Sequence, residues 1–165
     1  MLEIINMSTF TLIHVAISLV GIFTGFVVLF GMLAGKLCAA WTSVFLWTTL
    51  LTSVTGFFFP FHGFTPAIGV GILSLLILAP VFYAWYVRKL SGAWRWIYVI
   101  GGVLAFYLNF FVLIVQSFQK IPALHAFAPT QAEPPFAIAQ GIALLFFIVV
   151  GFLATKKFHP LPASV

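Results

Sequence analysis

Five apolar runs, at about 10–33, 38–59, 66–87, 94–118 and 136–155, take up most of the 165 residues, and each is long enough to cross a bilayer once. No water reaches the hydrocarbon to pair with backbone N–H and C=O groups, so a run of this kind must satisfy them internally as a helix. Composition agrees: 64% of the residues are apolar and 5% charged, where soluble domains carry about a quarter charged. The expected fold is all-α, a polytopic bundle of five transmembrane helices forming a single domain over 1–165. The short links leave no room for a soluble domain. No Lys or Arg precedes the first run, which is also too long for a signal-peptide core, so it reads as a retained helix. Cys38 is the lone cysteine and has no intrachain disulfide partner.

Five crossings put the termini on opposite sides, and the charges then supply an orientation. One side collects Lys36, Arg88, Lys89, Arg95, Lys156 and Lys157, the other only Lys120. The positive-inside rule makes the first side cytoplasmic, with the N-terminus periplasmic and the C-terminus cytoplasmic. Trp41, Trp85, Trp94 and Trp96 fall at run ends on that side, as an aromatic belt requires; Trp47 lies deeper. The net charge of +5 is scattered in ones and twos at these ends, not gathered into a phosphate-binding stripe, so no nucleic-acid partner is expected.

Lipid tails are as apolar as leucine, so helices in a bilayer associate by close backbone approach and interhelical hydrogen bonds. The first run offers two GxxxG spacings, Gly21 with Gly25 and Gly31 with Gly35. Ala67–Gly71, Gly101–Ala105 and Ala137–Gly141 repeat the pattern. Each suits either an internal contact or an oligomer. Seven Thr and Ser in the second run are enough for a polar seam, unless their hydroxyls turn back onto the helix carbonyls. Pro80 should cost the third helix a hydrogen bond and kink it.

The chemistry-bearing residues gather on the periplasmic side: His14 one turn inside the first run, His62 in "PFHGFTP", His125 and Glu133 in the fourth link, with Glu3 and Met7 on the same face. Imidazole, carboxylate and thioether groups suit a transition metal or haem iron. No HxxxH, HExxH or CxxC sets two ligands on one helical face, so such a site requires distant segments to converge, with the three rings within about 10 Å of one another. His62 taken alone reads as an interfacial turn residue. His14 is an ionisable ring within a membrane helix, where polar groups are costly and mark function, unless a neutral imidazole simply donates to a carbonyl or to Thr and Ser neighbours. Haem between two helical histidines needs a second ring at matching depth, and only His14 qualifies.

Asn109, Gln116 and Gln140 are the deeper amides, suited to interhelical hydrogen bonds. No charged residue lies well inside a run, which counts against a proton-coupled transporter. No nucleophile has an evident base beside it, which counts against a hydrolase or transferase. The proline-rich fourth link suits either a short turn begun by Pro122, with Ile121, Leu124 and Phe127 on the membrane surface, or a plain connector stiffened by proline.

The runs "TSVTGFFFPF", "YLNFFVLIVQSF" and "APTQAEPPF" resemble those of a group of small multi-spanning inner-membrane proteins of proteobacteria. The resemblance covers most of the chain and implies a bacterial inner membrane, with no functional residues to carry over. Three functions follow as expectations. The first is a non-enzymatic protein with a metal, haem or small-ligand site on its periplasmic face. The second is a structural or accessory subunit of a homo-oligomer or larger membrane complex. The third is a passive channel or transporter lined by the threonines of the second run.

Overall fold

A computed structural model describes residues 2–60 and 63–160, and among them no strand occurs. Six α-helices follow in order: α1 (Leu2–Leu33), α2 (Ala39–Gly56), α3 (Pro66–Phe82), α4 (Trp94–Lys120), α5 (Pro122–Phe127) and α6 (Pro134–Lys157), with a π-helical turn, Tyr83–Val87, prolonging α3. Four helical segments are long and apolar enough to cross a membrane: Thr9–Leu33, Pro66–Val87, Trp94–Lys120 and Pro134–Lys157. They define a multi-pass helical membrane protein in contact with the lipid bilayer. The helix bounds fall within a few residues of the apolar runs, except that α1 begins at Leu2.

Local chemistry sets most ends. Lys36 N–H donates to the Gly31 carbonyl at 2.8 Å and Gly35 N–H to that of Met32 at 3.0 Å, with Gly35 at φ 68°, so α1 closes on a left-handed glycine. Gly35 is therefore a helix stop, and not the second half of a packing pair. Prolines open α3, α5 and α6, where the missing N–H costs nothing. The Thr65 hydroxyl accepts from Ile68 N–H at 3.4 Å, capping α3. Pro80 does not end α3; the helix runs past it and widens three residues on, where Arg88 N–H reaches back to the Tyr83 carbonyl.

Successive long helices run antiparallel. The start of α1 meets the end of α2 through His14 and Thr55, and its far end meets the start of α2 where Cys38 packs on Gly31. α2 thus accompanies α1 from Gly31 to His14, a rise of roughly 25 Å. α4 is the central helix, touching α1, α2, α3, α5 and α6. Its Phe106, 1% exposed, meets the rings of Phe26 at 4.9 Å, Phe147 at 5.0 Å and Phe45 at 6.0 Å between centroids. Edge-on aromatic contacts of this kind are worth about 0.5–1.5 kcal/mol each beyond burial, and in lipid, packing is most of what holds a bundle.

The glycines let these helices close. A Cβ on Gly25 would stand 2.7 Å from the Phe106 ring, one on Gly71 2.8 Å from Phe57, and one on Gly31 2.7 Å from Cys38 Sγ. Gly21 faces Thr48, Thr49 and Asn109, and Gly101 faces Val81. The α1 glycines therefore serve contacts within the chain.

Candidate functional site

The polar side chains form three levels along α2. At one end the Thr42 hydroxyl and Tyr98 hydroxyl are 2.9 Å apart, both buried. Near the middle Asn109 Nδ2 donates to Thr49 Oγ1 at 3.2 Å, joining α4 to α2. At the other end His14 Nδ1 lies 2.7 Å from Thr55 Oγ1, joining α1 to α2. Thr48, Ser53 and Thr55 also return hydroxyls to carbonyls three or four residues earlier. The second run thus does both things its sequence allows: some hydroxyls cross to other helices, others bond back. Within the seam the Thr52 hydroxyl is buried without a hydrogen-bond partner among the described residues. The small void at the bundle centre, about 10 Å³ between Gly25, Phe45 and Phe106, has room for about one water.

The Thr55 hydroxyl has one proton, directed at the Leu51 carbonyl 2.6 Å away. It accordingly accepts from His14, which fixes that ring as the Nδ1–H tautomer and leaves the lone pair on Nε2. The Phe59 ring stands against the imidazole, 5.0 Å between centroids and at 84°. His125, exposed on α5, donates Nδ1–H to the Phe118 carbonyl at 3.3 Å.

Glu133 precedes α6 and is occupied. Its carboxylate accepts from Thr130 Oγ1 at 2.8 Å, Ala132 N–H at 3.1 Å and Thr130 N–H at 3.2 Å. Partial desolvation pushes this carboxyl up, but the bonds from the Thr130 side chain and from the backbone N–H groups of Glu133, Thr130 and Ala132 outweigh it and hold its pKa below the usual value. Gln131, at φ 60° in the same turn, donates Nε2–H to the Val115 carbonyl at 2.8 Å, pinning the link to α4. Of the deeper amides, Gln140 donates to the Phe111 carbonyl at 3.2 Å and Gln116 is exposed.

His62 and the side chains of Glu3 and Met7 lie outside the described residues. Among the described residues, no group of three His, Cys, Asp or Glu is arranged to hold a metal ion. His14 and His125 face different helices and each has its own partner. The Tyr98–Thr42 pair was not singled out in the sequence, where Tyr98 is one more aromatic at a helix end. A hydroxyl about one turn into α4 was the available signal.

The ends of the bundle differ in charge. Arg95 Nη1 donates to the Phe158 carbonyl at 2.6 Å, Lys157 O lies 3.2 Å from where a Gly35 Cβ would be, and Arg88 stands over the Trp94 ring at 5.6 Å. These contacts gather Lys36, Arg88, Lys89, Arg95, Lys156 and Lys157 at one end. The chain's only acids, Glu3 and Glu133, belong to the other. Compared with known protein families, with characterised proteins and with solved structures, the chain gives no match.

Proposed function

We propose that the chain is a five-span integral protein of the bacterial inner membrane, N-terminus periplasmic and C-terminus cytoplasmic, that works without catalysis as a structural or accessory subunit. The gathering of six cations at one end supports the orientation. The side-by-side, antiparallel course of α1 and α2 over roughly 25 Å, close to the ~30 Å of a hydrocarbon core, supports α2 as the fifth span.

One observation carries the functional reading: most of the bundle's polar side chains are spent on bonds within it, and among the described residues only Thr52 Oγ1 on α2 and Gln140 Oε1 on α6 are buried without a partner. Thr42 goes to Tyr98, Thr49 to Asn109, Thr55 to His14, and Gln140 to a carbonyl of α4. Such bonds join helices, and a catalytic or transport site needs polar groups left over for a substrate. The exterior is what remains to act, through lipid or a neighbouring subunit.

The test is extraction into polymer nanodiscs without detergent, followed by measurement of particle mass and of iron, copper, zinc and haem. Protein mass above that of one chain, with no stoichiometric metal, is the expected result. A single chain carrying one metal or haem overturns the reading.

That opposite result belongs to a second reading, a ligand site at His14, which the free Nε2 lone pair favours. A histidine whose other nitrogen is held by a hydrogen bond is set up as a donor to metal or haem iron. A His14→Ala variant losing the bound metal would assign it.

A further inference from the structure

We propose that the groove between α4 and α6 seats an acyl chain of an anionic phospholipid whose phosphate is held by Arg95 and Lys156. The groove encloses about 440 Å³ and is open to the membrane along one side. Trp96, Ile100 and Tyr107 of α4 form one wall, Leu144, Ile148 and Phe152 of α6 the other, and its lining is almost wholly apolar. Gly151 opens the floor against Val103.

Length and charge choose the occupant. From Trp96 to Tyr107 the helix rises roughly 16 Å, half of the ~30 Å hydrocarbon thickness, so the groove is one leaflet deep. It begins at the end where the cations lie. The Arg95 guanidinium is 4.4 Å from the centre of the Trp96 ring and the Lys156 ammonium 5.3 Å from that of Phe152, so a cation stands beside an aromatic on each wall. Arg95 spends Nη1 on the carbonyls of Phe158 and Thr155, at 2.6 and 3.5 Å. Among the described residues no Asp or Glu side chain is at this end to neutralise them. A basic mouth on an apolar slot of one-leaflet depth matches a lipid with a negative headgroup. A second copy of the chain in the same orientation would instead set Arg95 and Lys156 against their equivalents, like charge against like.

The full chain, stripped of lipid in mild detergent, is titrated with dioleoyl-phosphatidylglycerol and with dioleoyl-phosphatidylcholine and read by native mass spectrometry. The expected preference for phosphatidylglycerol is on the order of tenfold in Kd. Lys156→Gln, which leaves the Arg95 bonds intact, should reduce it by about fivefold. Ile148→Trp, which fills the groove, should abolish retention of phosphatidylglycerol while the thermal melt stays that of the parent.

Equal retention of the two lipids overturns the proposal, as does an unchanged preference in Lys156→Gln. Competition by soluble glycerophosphoglycerol at the same concentration would mean a phosphate site without a lipid. A dimer that disappears in Ile148→Trp would mean that a second copy occupies the groove. Either result overturns it as well.

Discussion

α2 and α6 invert the usual relation between hydropathy and burial. α6 is apolar enough to be recognised as a crossing helix, yet only four of its 24 residues are buried, Ala143, Phe147, Val150 and Ala154, on one narrow stripe. α2 is weakened by its hydroxyls and is not among the four segments apolar enough to cross, yet five of its 18 residues are buried and three of those are Thr42, Thr49 and Ser53. Hydropathy measures what a helix shows to lipid. A helix that turns polar groups inward, towards partners supplied by α1 and α4, reads as less membranous the better it is packed.

The sharpest way to break that contrast is to force the inner helices apart. Gly25→Leu drives a side chain into the Phe106 ring, where even a Cβ would stand at 2.7 Å, and Phe106 is enclosed by other rings. Overpacking of this kind costs about 3 kcal/mol. SDS-titrated unfolding in mixed micelles should show the loss, together with changed near-ultraviolet circular dichroism from the aromatic cluster. Unchanged unfolding would mean that α1 and α4 are not in contact.

A smaller effect tests whether the α2 hydroxyls act as interhelical bonds. Asn109→Leu and Thr49→Val each remove one partner of the 3.2 Å contact, and in a double-mutant cycle the coupling should be about 0.6–1.7 kcal/mol. Thr48→Val offers the control, since that hydroxyl bonds to the Val44 carbonyl of its own helix. It should show no coupling to Asn109.

At its N-terminus α6 has a polar device of its own, and pH isolates it. Glu133 has a folded pKa below its unfolded value of 4.5, so its contribution is complete above that pH and is lost as pH falls through the lower folded value. Amide exchange in the Ala128–Phe136 link should quicken on acidification in the parent. In Glu133→Gln it should be fast already at neutral pH and insensitive to acid.

What was legible in the sequence follows from the same physics. Long apolar runs are local signals, and they placed the helices to within a few residues. The turn expected at Pro122 is a short helix, α5, with Ile121 before it and Phe127 at its end both exposed. Pairings between helices were not legible, because they depend on rotation about each axis. Gly31–Gly35 has the same spacing as Gly21–Gly25, yet one pair packs helices and the other ends one. His14 stood out as a buried ring, but nothing near it in the chain points to Thr55, 41 residues away. Glu133 was grouped with the histidines by side, although its partners are its own neighbours.

The smallest effect is the one expected on α6. Ile142 is 65% exposed, and in a bilayer its surroundings are acyl chains whether the helix is docked or free, so truncation removes no transfer free energy. Ile142→Ala should change unfolding by less than about 0.5 kcal/mol. Leu46→Ala on α2, where the side chain is 0% exposed, leaves a cavity and should cost about 2–5 kcal/mol. The same kind of truncation thus separates a lipid-facing helix from a packed one. A large loss at Ile142 in the native membrane but not in detergent would place a protein neighbour on that face of α6, and would make the apolar face an interface.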